Sequence, residues 1–165
     1  MTVLEFVPAQ REHLDAVHRL EEVSYHPDEA ASREQLASRI EYALRDDGNL
    51  FLVGLDGPEI AAFVCSTVSN APLVTDESMK THVPGGTTVC LHSVCVSPTR
   101  RRQGLASAIL KAWIAAIRQN AQYKRLALIS RPNLIPLYES VGFRLLGKSE
   151  VVHGPDPWFD CVIDL

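Results

Sequence analysis

The sequence has few aromatic side chains, no excess of positive charge and no long apolar run. Of its 165 residues only 7% are Phe, Trp or Tyr, and 20 acidic residues outnumber 16 Lys and Arg, which gives a formal net charge of −4. Proteins that bind nucleic acid generally present a basic face to the phosphates. A helix needs roughly 20 apolar residues to span a bilayer. We therefore expect neither a nucleic-acid partner nor a membrane partner.

Paired cysteine spacings and a targeting segment are also missing. The cysteines Cys65, Cys90, Cys95 and Cys161 do not repeat a short spacing of the kind that zinc sites and disulfide frameworks use. We expect reduced thiols and no bound metal. The first residues, MTVLEFVPAQREHLDAV, lack the basic segment and apolar run of a secretory signal. With no linker or repeat in the chain, the prediction is one cytoplasmic, monomeric domain over residues 1–165.

Apolar periodicity predicts an α/β fold in which helices and strands alternate irregularly. A capping box at Ser32 and Gln35 opens one helix, whereas Asn133 as N-cap and Gly142 as stop delimit a short one. The pattern predicts helices over 10–24, 32–48, 104–119 and 133–142, an irregular loop over 70–86, and strands over 2–7, 50–55, 59–69, 87–96, 124–130, 143–149 and 158–164. We expect one mixed, mostly antiparallel sheet with a central parallel pair, flanked by about four helices.

A basic turn, RRQGLA over 101–106, lies between the apolar strand 87–96 and a helix. Unpaired amides and a partial positive charge suit a helix N-terminus to phosphate oxygens. Gly104 would allow close backbone approach, and Arg100, Arg101 and Arg102 would add charge-assisted hydrogen bonds. The same residues are compatible with a solvent-exposed basic helix start, but cations there oppose the helix dipole unless an anion is bound.

These residues carry a resemblance. VCVSPTRRRQGLASAIL resembles the acetyl-CoA-binding motif of the GCN5-related N-acetyltransferase (GNAT) superfamily, and the element order is similar to its fold. DESMKTHVPGG, LHSVCV and LIPLYESVGF resemble, within it, the serotonin (arylalkylamine) N-acetyltransferases of fungal type. The resemblance implies a GNAT fold that uses acetyl-CoA as cosubstrate. It also implies a cofactor site at Val94, Cys95, Val96, Arg101, Arg102, Gln103, Gly104, Leu105, Ala106, Ser107, Asn133 and Tyr138.

Acetyl transfer to an amine requires a base and an acid. A primary amine is protonated at neutral pH, and an imidazole, which ordinarily titrates near about 6.5, can remove that proton. The resemblance assigns this role to His92 and assigns protonation of the coenzyme A thiolate to Tyr138. Cys90 stands where the family has a first histidine, so water, Ser93, His92 alone or the Cys90 thiol could carry the proton onward. Both His92 and Tyr138 could instead be ordinary core residues.

The resemblance also implies the acceptor pocket. It places Tyr25, Pro27, Cys90, His153 and Trp158 against a small amine such as serotonin, tryptamine or phenylethylamine, attacked directly in a ternary complex. The polar residues His153 and Asp156 are compatible with a polyamine. A GNAT-like chain could also acetylate protein N-termini or lysines, or bind acyl-CoA as a non-catalytic sensor. We expect no 14-3-3 partner of the kind that regulates the vertebrate enzymes through their tails.

Overall fold

The structure is a computed structural model that describes residues 4–25, 27, 29–101, 104–152 and 156–165. The strands are β1 (Glu5–Pro8), β2 (Phe51–Asp56), β3 (Glu59–Ser69), β4 (Thr88–Val96), β5 (Arg125–Ser130), β6 (Arg144–Lys148) and β7 (Phe159–Asp164). The α-helices in this part of the chain are α1 (Leu14–Ser24), α2 (Arg33–Asp46), α3 (Asp76–Lys80), α4 (Leu105–Arg118) and α5 (Ile135–Ser140). None of them is long and apolar enough to cross a membrane.

The strands form a mixed sheet in the order β1-β2-β3-β4-β5-β7-β6. The pair β4–β5 is parallel, whereas β1–β2, β2–β3, β5–β7 and β6–β7 are antiparallel. The predicted fold class is therefore confirmed. The chain divides into two compact units, one formed by Met1–Cys65 with Ser93–Ala116 and the other by Ser66–His92 with Ile117–Leu165, and β3 and β4 contribute residues to both.

The first unit packs helices against the apolar strands β2 and β3. The predicted capping box begins α2, because the Ser32 side chain accepts from the Gln35 amide at 3.1 Å and the Gln35 side chain accepts from the Ser32 amide at 2.8 Å. Phe51 and Phe63 stack at 5.7 Å between ring centroids. Trp113 of α4 is fully buried. Burial of these large apolar side chains is the main force that holds the unit together.

The second unit is built around the parallel pair. The β4–β5 register runs from Thr88↔Arg125 to Cys90↔Ala127, and β5 then pairs with β7 as far as Ser130↔Phe159. A small apolar cluster of Val74, Cys90, Ala127 and Val162 lies here. His92 follows two residues after the last β4–β5 register pair, so it lies beyond the part of β4 that pairs with β5.

Two predictions about local structure were wrong. The segment 70–86 is not wholly irregular, because it contains α3, whose first turn is capped by reciprocal hydrogen bonds between Thr75 and Ser78 at 2.8 and 3.0 Å. Asn133 does not cap α5: it lies within a 3-10 turn over Pro132–Leu134, and Leu134 occupies the N-cap position. A 3-10 turn commonly precedes an α-helix, and here it moves the N-cap by one residue.

Candidate active site

His92 is the central residue of the candidate site. It is half-buried on β4, and its Nε2 lies 2.7 Å from Oγ1 of Thr67 on the neighbouring strand β3. Thr67 is 3% exposed. The Thr67 hydroxyl also donates to the Ser78 carbonyl oxygen at 2.8 Å. A β-branched side chain has a restricted χ1 angle, so this threonine holds its hydroxyl in a defined position beside the imidazole.

The Ser78 carbonyl is itself firmly placed. Its helix α3 is only five residues long, and Ser78 Oγ donates to the Thr75 carbonyl at 2.9 Å within the capped first turn. The segment after α3 is tied to β3, because Val83 N–H donates to the Val68 carbonyl at 2.8 Å and Val68 N–H donates to His82 Nδ1 at 3.1 Å. The block DESMKTH therefore fixes an acceptor that the Thr67 hydroxyl reaches.

The end of this segment requires a glycine. A Cβ at Gly86 would lie 2.7 Å from the Ser69 carbonyl oxygen, so any side chain would push the loop away from β3. The Gly86 carbonyl accepts from Gln122 Nε2 at 2.8 Å. The PGG motif thus packs the backbone of the loop closely against the strand that carries Thr67.

Cys90 lies two residues before His92 on β4, but its thiol is not suited to proton transfer. It is fully buried in the apolar cluster described above, and burial raises the pKa of its thiol to about 11, which a hydrogen bond with Ser78 only partly offsets. At neutral pH about one molecule in ten thousand would carry the thiolate. The neutral state of this thiol favours proton transfer through His92 over a nucleophilic or basic cysteine.

Tyr138 is a buried residue of α5. Its ring meets the Phe143 ring edge-on at 5.9 Å between centroids, and its carbonyl accepts from Phe143 N–H at 3.0 Å. Gly142, at φ +112°, allows the sharp turn that brings Phe143 back onto the tyrosine. His92, Cys90, Tyr138, Trp158 and the exposed Asn133 all belong to the second unit.

The guanidinium group of Arg131 lies over the ring of Trp158. The Arg131 guanidinium carbon lies 5.2 Å from the Trp158 ring centroid, and Arg131 donates to Asp156 Oδ2 at 2.6 Å. Asp156 is therefore neutralised by a partner from the end of β5. The sequence interpretation singled out Trp158 and Asp156 but missed Arg131, because nothing in the local pattern RPN indicates a contact 25 residues further along the chain. His153 lies outside the described residues.

Tyr25 and β4 meet within the first unit. Val94 N–H donates to the Tyr25 hydroxyl at 3.2 Å, and that hydroxyl donates to the Val94 carbonyl at 3.4 Å. Val94 and Val96 are half-buried. Cys95 faces the interior, where its thiol donates to the buried Glu21 carboxylate at 3.7 Å, so only its backbone could meet a cofactor. Pro27 is exposed.

Of the predicted phosphate turn, the structure describes Arg101 and residues 104–106. Gly104 has φ +73°, and a Cβ built there would meet nothing within 4 Å. Ala108 N–H donates to the Gly104 carbonyl at 3.0 Å, which closes the first turn of α4 and leaves the amides of Leu105, Ala106 and Ser107 ahead of the helical ladder. Arg101 is exposed. Arg102 and Gln103 lie outside the described residues.

Arg100 and Arg101, the two described arginines at this turn, have different surroundings. Arg100 is 16% exposed and pairs with Asp56 at 2.8 Å and Glu59 at 3.2 Å. Its charge is already balanced by these two carboxylates of the hairpin between β2 and β3, so Arg100 has a structural role. Of the arginines whose positions are described, Arg101 is the one whose charge remains for an anion at the start of α4.

Comparison with known proteins decides the family. Residues 14–143 match the family model described as the acetyltransferase (GNAT) family. The chain belongs to the GNAT family of acetyltransferases. A serotonin N-acetyltransferase of Mesocricetus auratus is 32% identical over 95 residues, which cover 58% of this chain and 46% of that protein. The chain therefore spans about half the length of the curated relatives it matches.

Solved structures of GNAT-like proteins agree in fold. The loading GNATL domain of CurA from Lyngbya majuscula superposes with a TM-score of 0.87 at 13% identity, covering 98% of each chain. The GphF GNAT-like decarboxylase in complex with isobutyryl-CoA gives 0.82 at 19% identity, covering 97% of this chain and 98% of that one. At such identities the similarity shows the GNAT fold alone. It confirms the fold that the resemblance implied, and the match over residues 14–143 confirms the family.

Proposed function

We propose that this GNAT protein transfers the acetyl group of acetyl-CoA to the primary amine of a small arylalkylamine such as tryptamine, serotonin or phenylethylamine. The observation that carries the proposal is the half-buried His92 on β4, held at Nε2 by Thr67. An imidazole fixed in this way is suited to remove the proton from an ammonium group. The name of the Mesocricetus auratus relative supports the acceptor class.

In the proposed mechanism the amine arrives protonated and loses one proton to His92. The neutral nitrogen attacks the thioester carbonyl, a carbon–nitrogen bond forms, and the carbon–sulfur bond breaks. Tyr138 gives its phenolic proton to the departing thiolate. The second nitrogen proton offsets the one given to sulfur, so one proton per turnover reaches the solvent. No metal is needed in this sequence of steps.

The start of α4 is the proposed phosphate-binding element. The amides of Leu105, Ala106 and Ser107 precede the first helical hydrogen bond, and a Cβ at Gly104 would meet nothing within 4 Å. Helix N-termini bind anions through such amides and through the helix dipole. Arg101 adds a charge-assisted contact. The pyrophosphate of acetyl-CoA fits these donors, and the pantetheine arm would pair with the β4 edge at Val94 to Val96.

The contacts of Trp158 favour a monoamine over a polyamine as the acceptor. A polyamine carries several positive charges and binds best where carboxylates are unbalanced. Asp156 is instead paired with Arg131, which also stands over the Trp158 ring. Arg131 and Asp156 together carry no net charge, and Trp158 beside them is aromatic. An acceptor with an aryl group is therefore more compatible with this region than a polyamine.

A thiol-release assay with purified protein and acetyl-CoA tests the function. We expect the highest kcat/KM with tryptamine and phenylethylamine. Faster release with spermidine would instead show a polyamine acetyltransferase, and faster release with a peptide bearing a free N-terminus would show a protein acetyltransferase. Measurable acetyl-CoA binding without release for any acceptor would show a sensor.

Tyr138→Phe tests the acid. Because the phenylalanine preserves the edge contact with Phe143 but removes the proton donor, we expect kcat to fall about 100-fold, with acetyl-CoA affinity within about twofold of the parent. Tyr123→Phe, at another buried tyrosine, serves as the matched control and should leave kcat unchanged. Unaltered kcat in Tyr138→Phe would remove the residue from the mechanism.

A second candidate is decarboxylation of a β-carboxyacyl-CoA, in which the half-buried His92 imidazole, two residues from a neutral Cys90 thiol, would serve as proton donor. The GphF protein is named a decarboxylase. In this reaction the bond from Cα to the carboxylate breaks, CO₂ leaves, and the resulting thioester enolate takes one proton at Cα, which His92 would supply. Conversion of malonyl-CoA to acetyl-CoA without amine and without thiol release would support it. Unchanged malonyl-CoA would exclude it.

A further inference from the structure

Thr67 determines which nitrogen of His92 carries the proton. The Thr67 hydroxyl has one hydrogen and two close partners, the Ser78 carbonyl oxygen at 2.8 Å and His92 Nε2 at 2.7 Å. A carbonyl oxygen can only accept, whereas an imidazole nitrogen accepts or donates according to its protonation. The position of that single hydrogen therefore settles the state of the ring.

The hydrogen belongs on the Ser78 side. Ser78 is the third of the five residues of α3, and the last four carbonyls of a helix have no partner within it. If Thr67 turned its hydrogen to His92, two oxygen lone pairs would face each other across 2.8 Å at a buried site. The capping bonds between Thr75 and Ser78 prevent α3 from relaxing away. Thr67 must then accept from the imidazole.

We infer that Thr67 is a positioning residue that keeps neutral His92 in its Nε2–H form, so that Nδ1 carries the lone pair. In a neutral imidazole one nitrogen donates and the other accepts. With Nε2–H donated to Thr67, the proton-accepting atom of the ring is Nδ1. The part of this inference that names Nδ1 as the general base rests on the proposed function, whereas the assignment of the tautomer does not.

Nitrogen NMR of the full chain tests the tautomer directly. Long-range ¹H–¹⁵N correlation spectra of ¹⁵N-histidine-labelled protein, recorded above the titration of the rings, separate the two neutral forms. The His92 signals are identified by their absence from the spectrum of His92→Gln. We expect the Nε2–H pattern in the parent protein. A predominant Nδ1–H pattern there would overturn the inference, and this reading requires no active variant.

Variants at Thr67 test the positioning role. Thr67→Val keeps the shape but removes the hydroxyl, and we expect an increased Nδ1–H population and a kcat lowered about tenfold with the KM for acetyl-CoA within twofold. Thr67→Ser restores the hydroxyl and should recover most of both. Thr88→Val, the same change at a buried threonine of β4, is the matched control and should alter neither.

The outcomes of the two experiments are separable. A retained Nε2–H pattern together with unchanged kcat in Thr67→Val would overturn the positioning role. An Nε2–H pattern in the parent that is lost in Thr67→Val, in a protein that releases no thiol with any amine, would support the tautomer assignment and contradict the proposed function.

Discussion

The surroundings of His92 and the turn at Gly104 differ in how much of their geometry the protein itself determines. Around His92 the polar groups are already engaged, since Thr67 bonds both the imidazole and the Ser78 carbonyl, and α3 holds that carbonyl in place. At Gly104 the backbone adopts φ +73° with nothing near the missing Cβ. The region around His92 is held by side-chain hydrogen bonds, whereas the turn at Gly104 presents the backbone at the start of α4.

The proposed function accounts for this difference. A proton-transfer group needs one defined orientation, and side-chain hydrogen bonds supply it before any substrate arrives. A pyrophosphate is large and doubly charged, and amides at a helix start meet it with little side-chain specificity. Changes near His92 should therefore affect turnover, and changes near Gly104 should affect cofactor affinity.

His92→Gln should have the largest effect. Glutamine keeps a polar side chain of similar length but cannot act as a base at neutral pH, so we expect kcat for acetyl transfer to fall about 1,000-fold, with acetyl-CoA affinity nearly unchanged. Steady-state thiol release and calorimetric titration of acetyl-CoA measure the two quantities. His18→Gln on α1 is the control and should be close to the parent protein.

A small effect of His92→Gln on kcat would contradict the assignment of turnover to the His92 region. The hydrogen bonds around His92 would then contribute only to stability. A large loss of acetyl-CoA affinity would break it in another way, because it would show that this region also holds the cofactor.

Gly104→Ala should act on affinity. An alanine at φ +73° costs roughly 1 kcal/mol, and its methyl group would stand where we place the phosphates. We expect the Kd for acetyl-CoA to rise about tenfold, with kcat at saturation changed less than twofold. Gly57→Ala in the hairpin between β2 and β3 is a close match, since Gly57 has φ +59° and nothing within 4 Å of its Cβ position.

The two glycine variants separate strain from binding. Both should lower the free energy of unfolding by a similar amount, as measured by chemical denaturation, but only Gly104→Ala should weaken acetyl-CoA binding. Equal Kd values in both variants would show that the turn at Gly104 is an ordinary strained connection.

Sequence patterns predicted the elements on which both regions stand. The β-branched run of β4, the capping box of α2 and the glycine before α4 are local signals that act over a few residues, and the structure confirms each element. The helix α3 was not predicted, because five residues are too few for a helical period to be recognised. Its signal was the spacing of Thr75 and Ser78 before MK, a capping pattern within a segment otherwise rich in turn residues.

The contacts that orient His92 could not be read from the sequence. Thr67 lies within the apolar run of β3, 25 residues before its partner, and its importance depends on which strands are neighbours and on the register between them. The Arg131 contact with Trp158 has the same origin, since it joins the ends of β5 and β7. Both depend on pairing between distant parts of the chain, whereas Gly104 is defined by its own dihedral angle.

Tyr25→Phe should have the smallest effect. It tests whether the Tyr25 hydroxyl competes with the cofactor for the backbone of Val94. The Tyr25 hydroxyl bonds both Val94 N–H and Val94 C=O, so a pantetheine arm that pairs with Val94 must first displace it. Losing a hydrogen bond of about 1 kcal/mol from the free protein should lower the Kd for acetyl-CoA about threefold to fivefold. Calorimetric titration without amine measures this, with Tyr42→Phe as the control. A raised Kd would mean instead that the tyrosine hydroxyl itself contacts the cofactor, and the β4 edge would then belong with Gly104 as a region completed by its ligand.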